Sequence, residues 1–185
     1  MSLPGLRGSL SIAHDTSQPF GLVSAPVAPL SISDGMNDDL ITDEQWRTAC
    51  PCGRQTLAGK KPKSAALSDC CGRFLPRTSE AKATQPAPDA EHLMRSRYTA
   101  FCLQLQDYLL ATWHASTRPA ALELEPNARW LGLEVRDHRP LDATHSEVEF
   151  VARYREQGRG HRLHERSRFV KEADRWFYVD GDFKA

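Results

Sequence analysis

Four of the five cysteines fall in two tight pairs, and they are the residues of this chain best suited to chemistry. Cys50 and Cys52 flank a single proline, and Cys70 and Cys71 are adjacent. Two loops that each supply two thiolates meet the need of a structural zinc ion for four tetrahedral ligands. Gly53 lets the first loop curl after its second cysteine. We therefore predict that these four side chains bind one Zn²⁺ ion.

Other roles for the cysteines depend on the cellular compartment. The sequence has no run of about 18 apolar residues and no basic start followed by an apolar stretch, so we expect a cytoplasmic protein without membrane contact. A reducing compartment disfavours disulfides. Thiol redox enzymes usually carry Cys-x-x-Cys, which is absent here. Four ordinary reduced cysteines remain the alternative to a zinc site.

A second group of residues suited to chemistry is a set of polar side chains in an otherwise apolar sheet face. After Pro126 the sequence alternates with period two, and Glu165, Ser167 and Asp180 share the parity of the apolar positions. Two carboxylates in one dry site raise the pKa of one of them, which suits acid–base chemistry. Glu165 and Asp180 are therefore candidate catalytic residues, and His114 is a third. The expected pocket residues are Tyr98, Trp113, Phe150, Tyr154, Ser167 and Tyr178.

Each of these candidates also has a purely structural explanation. Buried charges commonly hold elements together, so Glu165 and Asp180 can instead bond Arg95 or Arg97 and fix a helix on the sheet. His114 follows a predicted helix and can interact with its C-terminal dipole.

The alternation also predicts the strand register. Even-numbered loops between the last three strands keep Glu165 on the buried, concave face, near Asp180, and turn Arg166 to the opposite face. The predicted cross-strand neighbours are Ala152 with Glu165, Phe169 with Tyr178, and Ser167 with Asp180.

The sequence pattern predicts an α+β layout that positions these residues, with helices first and antiparallel strands after them. Asp89 and Asp107 are predicted to cap two helices, and a short third helix is expected near residues 120–124. The predicted strands cover residues 129–137, 146–156, 161–171 and 175–181. The chain then divides into a disordered or weakly structured extension (1–48), a zinc knuckle (49–77), a linker that uncouples its neighbours (78–87) and the α+β domain (88–185).

Several segments resemble known sequences. Cys-Pro-Cys-Gly followed by Cys-Cys-Gly resembles the SEC-C zinc motif of the preprotein translocase ATPase, and further segments resemble the YchJ-like family of bacterial proteins. Those segments are residues 88–101, 108–114, 130–133, 150–153, 165–169 and 176–181. The resemblance implies a SEC-C-type knuckle before a domain similar to nuclear transport factor 2, in which a curved sheet and helices form a cone. It implies no activity, because the function of that family is uncharacterised.

Two functions of different kinds fit this sequence. In the first, the basic loop with Lys60, Lys61 and Lys63 docks an acidic or ribosomal partner, as the translocase motif docks a partner, and the cone is a scaffold. In the second, the cone binds a small molecule or catalyses a reaction with Glu165 and Asp180. Nucleic-acid binding by the opposite sheet face is not favoured, since few aromatic residues lie among its arginines. The net charge is zero and favours neither nucleic acid nor membrane.

Overall fold

The computed structural model describes residues 40–58, 61–78 and 85–184. The predicted disorder of residues 1–35 lies outside these ranges. The elements are α1 (Asp43–Arg47), β1 (Gln55–Ala58), β2 (Lys61–Ser64), a 3-10 turn (Cys71–Phe74), α2 (Ala90–Cys102), α3 (Gln106–Ala111), β3 (Arg129–Pro140), β4 (His145–Glu156), β5 (Arg159–Glu172) and β6 (Arg175–Phe183). The predicted α+β class is confirmed. Within the described ranges, no helix has the length and apolar character needed to span a membrane.

The main sheet is antiparallel, with strand order β3-β4-β5-β6. Two-residue turns join its last three strands, and both central residues of each turn have positive φ, as in type I′ turns. The first of these turns is centred on Gln157 and Gly158, one residue earlier than expected. Glu165 therefore lies opposite Phe150 and not opposite Ala152. The pairing moves by two residues, so each side chain stays on the face that the alternation predicts.

The second hairpin contains the irregularity that matters most. Phe169 lies opposite Tyr178 as predicted, but the register then shifts, and Arg168 lies opposite Asp180. This β-bulge adds Val179 to β6 and reverses the side-chain alternation after it. The predicted pairing of Ser167 with Asp180 is therefore wrong.

The helices lie against the sheet and cover its apolar face. α2 begins where predicted, because the Asp89 side chain accepts a hydrogen bond from the backbone N–H of His92 at 2.8 Å. α3 begins at Gln106 with no side-chain cap, so the predicted cap at Asp107 is wrong. Residues 120–124 form no helix. Leu122 is fully buried there, so packing of this side chain outweighs local helix propensity.

The cysteine segment packs directly on α2, contrary to the expectation that the linker uncouples the two parts. Arg54 forms an ion pair with Glu91 at 3.2 Å, and Arg95 donates to the carbonyl of Cys52 at 3.3 Å. α1 and the residues just before it belong to the same unit. Ile41 is fully buried, and the guanidinium of Arg77 lies over the Trp46 ring. The folded unit around the cysteines thus includes residues before the first of them.

Candidate functional site

Two tight turns place the cysteine pairs. The backbone N–H of Gly53 bonds the carbonyl of Cys50 at 3.0 Å, and Gly53 has a φ of 69°, a conformation that favours glycine. In the second turn the N–H of Gly72 bonds the carbonyl of Leu67 at 2.8 Å. A Cβ at Gly72 would lie 2.6 Å from that oxygen, so only glycine fits beside Cys71.

The four cysteine sulfurs form one compact group. All lie within 4.8 Å of one another, and all four residues are buried. The Cys52 and Cys70 sulfurs are 3.6 Å apart. Zinc–sulfur bonds of about 2.3 Å in a tetrahedron require sulfur separations of about 3.8 Å, so the donor set fits a metal ion of this kind.

The mutual hydrogen bonds of the thiols show why a cation suits them. Bonding within the cluster lowers the pKa of Cys50, with Cys52 its main partner, and the bond to Cys50 raises the pKa of both Cys70 and Cys71. The four close sulfurs therefore affect one another's ionisation. A divalent cation would allow all four to ionise, since each ligand must be deprotonated to bind it.

A cavity of about 70 Å³ lies between α2 and the concave face of the sheet. Of the pocket residues named from sequence, it is lined by Tyr98, Trp113, Phe150, Ser167 and Tyr178, and Glu165 also lines it. Tyr154 lies apart from it, stacked on His161 with ring centroids 4.8 Å apart. Tyr154 borders a smaller cavity of about 20 Å³.

Glu165 is buried, with 3% of its surface exposed, and Arg166 points to the opposite face as expected. The hydroxyls of Ser167 and Tyr178 donate to its Oε1 atom at 2.6 and 3.1 Å. Burial raises the pKa of Glu165 above its ordinary value. Gly181 makes room for this side chain, because a Cβ there would lie 2.7 Å from the carboxyl carbon.

The other two catalytic candidates lie elsewhere. The bulge in β6 turns Asp180 to the outer face, where its Oδ1 accepts a hydrogen bond from Arg168 at 2.5 Å. His114 hydrogen-bonds Ser116 at 2.6 Å and Glu172 at 3.2 Å, and it does not line the 70 Å³ cavity. The expected pair of neighbouring carboxylates in one dry site is therefore wrong.

Arg97 lines the cavity, whereas from sequence we expected it only as a structural partner of the acidic residues. It is 6% exposed, and its Nη1 donates to the Leu109 carbonyl and to Thr112 Oγ1, both at 2.7 Å. Its guanidinium lies over the rings of Trp113 and Tyr178, at 5.3 and 4.7 Å from their centroids. The sequence signal for this role was the position of Arg97 in the apolar stripe of α2, four residues after Leu93.

Two arginines of the outer sheet face are held in ion pairs. Arg166 bonds Glu147 and Glu149 at 3.1 and 2.5 Å, and Arg168 bonds Asp180 and Asp182. The charges of these two arginines are therefore balanced by acidic side chains of the same sheet.

Known bacterial proteins are similar to most of this chain. The family described as "YchJ, middle NTF2-like domain" matches residues 89–181. A UPF0225 protein of Polaromonas naphthalenivorans is 64% identical over 138 residues, which are 73% of this chain and 97% of that protein. A UPF0225 protein of Chromobacterium violaceum is 48% identical over 75% of this chain and 95% of its own length.

Two solved structures share the fold. The crystal structure of a SEC-C motif containing protein from Psychrobacter arcticus has a TM-score of 0.59 and 27% identity, covering 77% of this chain and 86% of that one. The solution structure of a SEC-C motif containing protein from Rhodopseudomonas palustris has a TM-score of 0.58 and 28% identity, covering 75% of this chain and all of that one.

Proposed function

This chain belongs to the YchJ family. We propose that it is a cytoplasmic docking protein whose zinc-bound knuckle holds an acidic protein partner. The observation that carries the proposal is the set of four buried cysteine sulfurs within 4.8 Å of one another. Four protein ligands complete a tetrahedral zinc site and leave no open position for a substrate. A closed site stabilises a surface and does not itself catalyse.

The β1–β2 hairpin supplies the surface. Lys61 and Lys63 are exposed on it, and Lys63 borders a groove of about 460 Å³ together with Arg47 and Asp69. The two bases outnumber the one acid, so the groove suits an acidic peptide segment. Ribosomal RNA is the competing partner class.

In the described part of the chain, the structure lacks the pair of neighbouring carboxylates on which the enzymatic alternative depends. That alternative requires two carboxylates in one site, and Asp180 is paired with Arg168 on the outer face. We therefore favour docking over acid–base catalysis.

Native mass spectrometry of the purified full chain tests the proposal. We expect one zinc ion per chain and an acidic protein that copurifies with it. The charge reversals Lys61→Glu and Lys63→Glu together should release that partner while zinc stays bound. Matched reversals at the exposed Arg118 and Arg159 should release nothing. Absence of zinc, retention of the partner by the hairpin variant, or loss of the bound species on ribonuclease treatment would each contradict the proposal.

A further inference from the structure

The cavity beneath α2 is lined by two buried groups of opposite charge type, and neither is fully satisfied by its neighbours. We propose that this cavity is a binding site for a small monocarboxylate, held between Arg97 and Glu165, with a short apolar tail against the surrounding side chains. The proposal is independent of docking by the knuckle.

Arg97 supplies the first argument, because no acidic side chain of the described residues contacts its charge, and Glu165 acts on it only without contact. No carboxylate of the described residues lies within 4.0 Å of its guanidinium. Burial lowers the pKa of Arg97 only to about 10, so the side chain stays cationic at neutral pH. A buried cation is costly without a counter-charge. An anion in the cavity would supply that charge.

The unused donors of Arg97 give the anion a place to bind. Its hydrogen bonds to the described residues all come from Nη1, which leaves the N–H groups of Nε and Nη2 available. A planar guanidinium with two adjacent free nitrogens matches the two oxygens of a carboxylate.

Glu165 supplies the second argument. Its Oε1 accepts hydrogen bonds from Ser167 and Tyr178, whereas its Oε2 bonds none of the residues in the described ranges. Because burial raises the pKa of Glu165, the protonated form persists to higher pH than in a free carboxyl. A protonated Oε2 can donate to the bound carboxylate.

Size and lining define the rest of the ligand. A water molecule needs roughly 15 Å³ of such space, so a cavity of about 70 Å³ holds roughly five non-hydrogen atoms. Propanoate has that size. The lining beyond the two charged groups is mainly apolar, with Phe150, Leu163 and Phe169 beside it. An amine would be repelled by Arg97, and an alcohol would leave its charge unmatched.

A titration of the full, metal-loaded chain followed by the indole N–H resonances of Trp113 and Trp130 tests the specificity, since both side chains line the cavity. Propanoate, propylammonium and propan-1-ol are compared at constant ionic strength and pH. We expect saturable shifts with propanoate, at a half-saturating concentration at least about tenfold below those of the other two. Equal response to all three probes, stronger response to the amine, or no saturation by propanoate would overturn the proposal.

The pH profile tests the role of Glu165. The groups that face it are Arg97 from α2, Tyr178 from β6 and Ser167 from its own strand, and Arg168 acts on it from the outer face of the sheet. Burial raises the pKa of Tyr178 and lowers that of Arg97 only to about 10, so neither group changes charge near neutral pH. Propanoate binding should weaken as pH rises through the raised pKa of Glu165, because ionised Glu165 repels the ligand.

Two variants complete the test. Glu165→Gln keeps a hydrogen-bond donor and cannot ionise, so its propanoate binding should persist and lose the pH dependence. Asp180→Asn, on the outer face, should bind like the unmodified protein. A flat profile in the unmodified protein, or loss of binding in a folded Glu165→Gln protein, would refute the role of Glu165.

Discussion

At the scale of single residues, the buried carboxyl of Glu165 organises its surroundings. Ser167 and Tyr178 hold one oxygen, and Gly181 leaves the space that the side chain occupies. Such a group is retained at a cost, because burial disfavours its charged form. The absence of a side chain at position 181 is therefore a steric requirement of residue 165.

Substitution of Gly181 by alanine should destabilise the protein by about 1–3 kcal/mol, the usual cost of overpacking a buried site. The new methyl group would overlap the Glu165 carboxyl and break its hydrogen bonds. Urea denaturation measures the effect. Gly160→Ala is the matched control, since a Cβ there meets nothing within 4 Å. In a Glu165→Ala background the added cost should fall. Equal stability of the Gly181→Ala and Gly160→Ala proteins would contradict this account.

At the scale of elements, α2 connects the two halves of the molecule. Its outward residues Glu91 and Arg95 contact the cysteine knuckle, and Arg97 and Tyr98 line the cavity. Cys50 Sγ lies 3.8 Å from Thr99 Oγ1 on the same helix. The knuckle is therefore part of the support of α2, although a proline-containing segment joins the two in sequence.

Replacement of Cys52 by serine should release the metal and unfold residues 50–75. Because the knuckle packs on α2, the sheet domain should also lose about 1–3 kcal/mol, the scale of a few broken hydrogen bonds. Metal analysis and hydrogen exchange of the α2 amides measure the two effects. Cys102→Ser is the control, since Cys102 lies outside the four-sulfur cluster. Unchanged protection of α2 after metal loss would show that the two parts fold independently.

At the scale of the whole molecule, the folded unit extends from the segment before the cysteines to the last strand. The N–H of Leu40 bonds the carbonyl of Arg77 at 3.0 Å, and Ile41 is fully buried. The knuckle hairpin and the cavity lie on different parts of this unit, so a docked partner and a bound carboxylate need not compete.

Two shortened chains should separate the contributions of the N-terminal region. A chain beginning at Met36 should keep the melting temperature of the full chain, because it retains Ile41 and Trp46. A chain beginning at Ala49 should melt several degrees lower, since it loses a buried isoleucine, and a buried isoleucine side chain is worth about 1.5–3 kcal/mol. Thermal unfolding followed by circular dichroism gives both values. A loss of stability on removal of residues 1–35 would show that this segment packs on the domain.

Features that depend on local pattern could be predicted from the sequence. Paired cysteines indicated the four-sulfur cluster, Asp89 indicated the start of α2, and period-two alternation indicated all four strands of the main sheet. The inward orientation of Glu165 followed from the same alternation, and it held because both hairpin turns contain two residues. Local propensity and periodicity act over a few residues, so a single chain records them directly.

Features that depend on contacts between distant segments could be seen only in the folded chain. The bulge at Val179 moves Asp180 to the outer face, and no periodic signal marks one added residue. The place of Arg97 in the cavity depends on the rings of Trp113 and Tyr178. The docking of the knuckle depends on one ion pair and one hydrogen bond between residues 37 and 43 positions apart. Such contacts are set by packing of the whole chain, so the acid–base pair suggested by alternation gives way to a cavity with one buried carboxyl and one buried guanidinium.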